Sequence, residues 1–207
     1  SVPAGTACDC TPYPQLSAPE LAPSGSPATT RNDAVGGYTT VDVLDQLSGG
    51  GEVASDVAGA HVVEVQVGAN DVLYSSSCGA VAACYEPQVP GVAANLRAIV
   101  ERLHELGKGR TLVVLLDYWS VWLGGTYATE QGQAYVDAAA TVTSQINTTI
   151  REVATETGSA YIDLRAAFKG PDYQYDETHY LASDGEHPNA AGHQQIASAV
   201  VDVVNAR

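Results

Sequence analysis

The chain has 207 residues, enough for one domain with a substantial core, and it is expected to form a single domain over 1–207. With 24 acidic and 9 basic residues its formal net charge is -15. Such a surface repels phosphate backbones and anionic headgroups, which argues against nucleic-acid and peripheral-membrane binding. No apolar run reaches the length of a membrane span. The opening "SVPAGTACDC" lacks the charged and apolar regions of a signal peptide, so a processed product is expected.

Residues 1–31 are rich in Pro, Ser, Ala and Gly and read as loop, with a short helix near Gln15–Leu21. Residues 32–36 are predicted as a short strand. "YTTVDVLDQL" then reads as a helix capped by Thr39 or Thr40, with Val43, Leu44 and Leu47 as its apolar positions. The β-branched run "HVVEVQV" (61–67) predicts a buried strand that ends at the turn signal "GAND". Residues 72–90 read as a loop.

In the segment 92–106, Leu96, Ile99, Val100, Leu103 and Leu106 share one helical face, and Gly107 is a natural stop. "TLVVLL" (111–116) is continuously apolar, as in a parallel strand covered on both sides. A loop, "DYWSVWLGG", follows. A long helix is predicted from about Glu130 to Thr155, with Val142, Ile146, Ile150 and Val153 on one side. "AYIDL" (160–164) predicts another strand, 165–187 a tyrosine-rich loop, and Pro188 the start of a last helix with Ile196, Val200 and Val203 facing the core.

Strands alternating with helices imply a three-layer α/β/α sandwich around a parallel sheet, flavodoxin-like in kind. Ligands in such folds sit beyond the carboxyl ends of the strands. The loops after Val35, Val67, Leu116 and Leu164 are therefore the ones to inspect.

Four cysteines lie in two close pairs, which points to disulfides and an oxidising compartment. Cys78 and Cys84 are the better-placed pair, because a six-residue step closes a surface loop easily. A Cys8–Cys10 bridge would be a tight ring. Zinc is the rival reading, but C-x-C with a distant C-x5-C does not match usual zinc spacings. No metal or organic cofactor is expected.

Asp184 and His187 lie three residues apart just before the last helix. One turn places a carboxylate beside its partner imidazole, the acid–base half of a hydrolase triad. Asp71 is expected to hold its own loop by backbone hydrogen bonds. His193 reads as structural, and His61, His104 and His179 as surface or satisfied side chains.

The blocks resemble those of the SGNH (GDSL-like) hydrolases, in the order of that family and over most of the chain. "GAND" (68–71) is similar to the G-x-N-D block. "DGEH" with "PNAAGH" is similar to the D-x-x-H block. "DAVGGYTTVDVL" (33–44) is similar to the block that carries the oxyanion-hole glycine, and "GSAYIDLRAAF" to the strand and loop before the final block. The resemblance is to the secreted, actinobacterial type.

It implies that Gly37 (Gly36 being the alternative) and Asn70 donate to an oxyanion. The family's G-D-S block is missing, but "SVPAGTACDCTPYPQL" is similar to the continuation of that block, which aligns Ser1 with the nucleophile. The first strand would then be absent from this chain. It could come from a cleaved N-terminal peptide retained in the sheet, from another chain, or from an upstream segment. The implied activity is hydrolysis of a carboxylic ester by Ser1, His187 and Asp184, with Ser1, Gly37 and Asn70 as the oxyanion hole. A Ser1 α-amine acting as base, an acyltransferase, and a non-catalytic binding protein that keeps the fold are the alternatives. Tyr118, Trp119 and Trp122 are the candidate lining of a substrate groove, with core packing the alternative, and Tyr173, Tyr175 and Tyr180 are weaker candidates.

Overall fold

The computed structural model describes residues 8–22 and 26–207. Three short parallel strands, β1 (Val62–Val65), β2 (Leu112–Leu116) and β3 (Ala160–Ile162), form a sheet in the order β1-β2-β3. Val62 pairs with Leu112 and Val65 with Leu115; Val114 pairs with Ala160 and Leu116 with Ile162. Eight α-helices accompany them among the described residues: α1 (Tyr13–Leu21), α2 (Thr40–Ser48), α3 (Glu52–Gly59), α4 (Val89–Leu106), α5 (Gly125–Glu130), α6 (Gln133–Thr157), α7 (Leu164–Lys169) and α8 (Ala190–Asn205).

The alternation of side chains along β2 divides the core in two. Val113 and Leu115 point to one face and pack with Leu96, Ile99 and Leu103 of α4 and with Val142, Ile146 and Ile150 of α6. Val114 and Leu116 point to the other face, where Tyr13 of α1, Phe168 of α7 and Ile196 and Val200 of α8 meet them. Layers of helix on both faces explain why "TLVVLL" is apolar throughout. They make this the expected α/β/α sandwich, richer in helix than in strand.

Sequence and structure part in four places. Residues 32–36 form an extended loop rather than a strand. There the Asn32 side chain accepts the Ala34 N–H, and the Gln46 side-chain amide donates to the Asp33 carbonyl. These side-chain bonds replace a ladder partner. Helix α3 follows a Gly-Gly-Gly run that masked its start. Helix α5 fills the stretch left unassigned between the predicted loop and the predicted long helix, and that long helix, α6, begins after Gly132 instead of at Glu130. Helix α7 interrupts the 165–187 loop. Asp163 caps it by accepting the Ala166 N–H at 2.7 Å, and Asp117 at the end of β2 accepts the Leu164 N–H at 2.6 Å.

The predicted cap of α2 takes the form of a capping box: Thr39 and Asp42 each accept the other's backbone N–H. Cys78 is bonded to Cys84, and Cys8 to Cys10. No helix among the described residues is long and apolar enough to cross a membrane.

Candidate active site

The loop between Leu181 and Pro188 is closed on itself before α8 begins. Ala182 N–H donates to the His187 carbonyl at 2.8 Å, and Leu181 and Pro188 form an antiparallel bridge. Gly185, at φ +75°, turns the chain inside this loop. A β-carbon there would lie 2.6 Å from the Tyr127 ring, so both the backbone and the neighbour require glycine.

Within this frame Asp184 Oδ2 lies 2.9 Å from His187 Nδ1. Its Oδ1 accepts the backbone N–H groups of Glu186 and His187, each at 3.0 Å. Burial pushes the Asp184 carboxyl pKa up, but these N–H donors and the imidazole outweigh it and hold the group below its ordinary value. An ionised carboxylate at Nδ1 favours the proton on that nitrogen, the tautomer that leaves Nε2 with a lone pair. About two-fifths of each side chain is exposed, so the pair faces solvent rather than the core.

Two further elements carry the proposed oxyanion donors. Gly37 sits exposed in a turn at φ +84° with open space where a β-carbon would be. Asn70 lies in a single 3-10 turn, Ala69–Val72, after β1. Its Nδ2 donates to the Tyr38 carbonyl at 2.9 Å, which ties the two loops together. Asp71 strengthens the tie by accepting both the Thr40 N–H and the Thr40 hydroxyl. Its hydrogen bonds thus reach the start of α2, beyond the loop that carries Asp71. Nothing in the spacing of "GAND" and "GGYTT" reveals this link, which exists only where the two segments meet in space. Ser1 lies outside the described residues.

The tryptophans are packed, not presented. Trp122 is 2% exposed, donates Nε1–H to the Val72 carbonyl at 2.8 Å and meets Tyr74, Tyr85 and Tyr135. Trp119 is 6% exposed and stacks on Phe168 at 4.3 Å. Its Nε1–H donates to the Glu186 carbonyl at 3.2 Å, inside the loop that carries the Asp184–His187 pair. Tyr118 is half-buried, its backbone N–H and carbonyl both held by the Asn147 side chain. Both indoles have a satisfied N–H and pack against other aromatic rings, which fits the core-packing alternative, and Trp119 also borders a cavity.

Among the weaker aromatic candidates, Tyr175 is exposed, while Tyr173 and Tyr180 are half-buried. A cavity of about 290 Å³ lies beside Trp119, Gly124, Thr126, Lys169 and Glu177, and its lining includes neither Asp184 nor His187. His193 is buried on α8. His61 and His179 are exposed and His104 half-buried.

A family model described as the GDSL-like lipase/acylhydrolase family matches residues 1–195. The chain belongs to that family. GDSL hydrolases of this kind are carboxylic ester hydrolases, which is the enzyme class of this protein. Solved structures with the same fold include the extracellular lipase of Streptomyces rimosus. That likeness has a TM-score of 0.71 and 21% identity, over 97% of this chain and 90% of that one. Phospholipase A1 of Streptomyces albidoflavus is similar with a TM-score of 0.63 and 23% identity, over 94% and 85%. An acetylxylan esterase of Geobacillus stearothermophilus is similar with a TM-score of 0.55 and 22% identity, over 81% and 68%. No curated protein matches the chain.

Proposed function

We propose that this esterase works through a Ser1–His187–Asp184 triad and an acyl-enzyme. The Asp184–His187 contact of 2.9 Å, on a loop closed by the Leu181–Pro188 bridge and tied to Trp119, carries the proposal. Ser1 Oγ attacks the ester carbonyl carbon while His187 Nε2 takes its proton. The tetrahedral oxyanion is held by the N–H groups of Ser1 and Gly37 and by the Asn70 amide. Asn70 has two N–H bonds on Nδ2; one goes to Tyr38, and the second is left for the substrate oxygen. His187 then protonates the departing alkoxide. Water, activated by the same imidazole, releases the acid. Donors aimed at the developing charge act mainly in the transition state.

Val35, Leu73 and Tyr74 are exposed apolar side chains within four residues of Gly37 or Asn70. They suit a substrate with an apolar acyl group. A parallel strand from a retained N-terminal peptide belongs to the same proposal, since β1 pairs only with β2 among the described residues. The two disulfides fit an extracytoplasmic location. An extracellular lipase among the similar structures fits it too.

The test combines a short nitrophenyl ester with a serine-reactive fluorophosphonate. Turnover together with a label on Ser1, both lost in Ser1→Ala, is the expected result. No turnover and no label would favour a binding protein that keeps the fold, and acyl transfer to an added alcohol in preference to water would mark an acyltransferase. Native against denaturing mass spectrometry tests the strand, by release of a peptide on denaturation.

A further inference from the structure

Apart from the Asp184–His187 pair, one cluster among the described residues joins three side chains that favour soft and borderline cations. Cys8, Cys10 and His193 hold their ligand atoms within 4.8 Å of one another. The two sulfurs are bonded as a disulfide. His193 reaches them from α8, buried, with Nδ1 accepting the Tyr13 N–H at 3.3 Å. Cys8 Sγ lies 3.6 Å from the carbonyl of Pro188, the residue next to His187.

We propose that Cys8, Cys10 and His193 form a binding site for a thiophilic divalent cation, zinc being the fitting case, when the Cys8–Cys10 bond is reduced. Two thiolates and a neutral imidazole are ligands that zinc takes readily, and the two negative charges neutralise the dication. The fourth tetrahedral position is left to water. C-x-C alone did not match a zinc spacing because its third ligand stands on the last helix, 183 residues beyond Cys10 in sequence. Folding of α1 against α8 supplies it.

The disulfide state and the cation state exclude each other. A dithiol or phosphine reductant delivers two electrons to the S–S bond, and two protons complete the thiols. Cation uptake then releases both protons as the two S–metal bonds form. Of the two disulfides this one closes the shorter loop, with a separation of 2 against 6 residues for Cys78–Cys84. A shorter loop removes less entropy from the unfolded chain, so this bond adds less to stability and is the easier to give up. A metal on Nδ1 would replace the Tyr13 N–H on the same lone pair. The cation would then clip residues 8–10 to α8 in place of that long hydrogen bond.

The full chain is reduced with a phosphine under inert gas, given zinc, and alkylated with iodoacetamide before peptide mapping. Zinc is expected to protect Cys8 and Cys10 while Cys78 and Cys84 react. His193→Gln, checked for folding by circular dichroism, is expected to lose that protection. X-ray absorption at the zinc edge of the unmutated, reduced chain requires no variant, and is expected to give two sulfur ligands and an imidazole nitrogen. Protection of no cysteine, equal protection of both pairs, or a shell without imidazole would overturn the site.

Discussion

Asp71 holds Thr40 twice: Oδ2 accepts the backbone N–H at 3.0 Å and Oδ1 the hydroxyl at 2.6 Å. The Asn95 side chain completes the arrangement by donating to the same hydroxyl at 3.0 Å. Thr40 opens α2, three residues after Gly37. Asp71 follows Asn70. The bond therefore sets the spacing between the two loops that carry the proposed oxyanion donors.

Replacing Asp71 by Ala releases the start of α2 and lets Gly37 drift from Asn70. Misplacement of a donor by about an ångström costs on the order of 100-fold in rate. Steady-state kinetics on a nitrophenyl ester should show kcat falling by about that factor with little change in KM. Asp71→Asn keeps one acceptor for Thr40 and should fall between the two. An unchanged kcat in the alanine variant would remove Asp71 from this positioning role.

Asp184→Asn preserves shape but loses the charge at His187 Nδ1. An amide there can donate its own N–H, which favours the wrong tautomer. A loss of about 10⁴-fold in kcat is expected, as in other triads deprived of their carboxylate. Fluorophosphonate labelling of Ser1 should slow in parallel. Labelling at the wild-type rate would mean that Asp184 does not orient the base.

Trp119→Phe keeps the stack on Phe168 and removes only the bond to the Glu186 carbonyl. One net hydrogen bond is worth about 1 kcal/mol. A small fall in Tm is expected together with a clear fall in kcat, because the released carbonyl lies one residue before His187. If Trp119 lined the substrate groove instead, KM would change and kcat would stay.

Glu64 lies on β1, where burial pushes its carboxyl up to about 7; the Ser17 hydroxyl is its partner, and its Oε2 is buried without one. The folded state therefore binds this proton more tightly than the unfolded state does. Between the unfolded carboxyl range and about 7, stability falls as pH rises, because ionisation is penalised only in the fold. Glu64→Gln removes this slope. Denaturant midpoints at pH 5 and pH 8 should show the variant gaining on wild type by about 2 kcal/mol across that interval. Parallel pH profiles for the two proteins would refute it.

The Asp184–His187 contact was legible in the sequence because both of its members lie within one turn, where spacing alone fixes contact. The same holds for a threonine cap on α2, read as Thr39 or Thr40, for the Cys78–Cys84 loop and for the buried faces of α4 and α6. The short helices α3, α5 and α7 were not legible. Each has eight residues or fewer, too little for a 3.6-residue period to stand out, and each depends on neighbours for stability.

Asp184 and His187 were thus determined as a pair by the sequence by itself, together with the α/β alternation and the family blocks. Only the tertiary structure decided what braces them. Trp119 was left open in the sequence between a groove residue and core packing, and its indole N–H lies on the Glu186 carbonyl, 67 positions away. Asp71 was read as local and instead reaches Thr40, 31 positions back. A side chain's partner across such distances depends on how sheet and helices pack, and no periodicity along the chain records it.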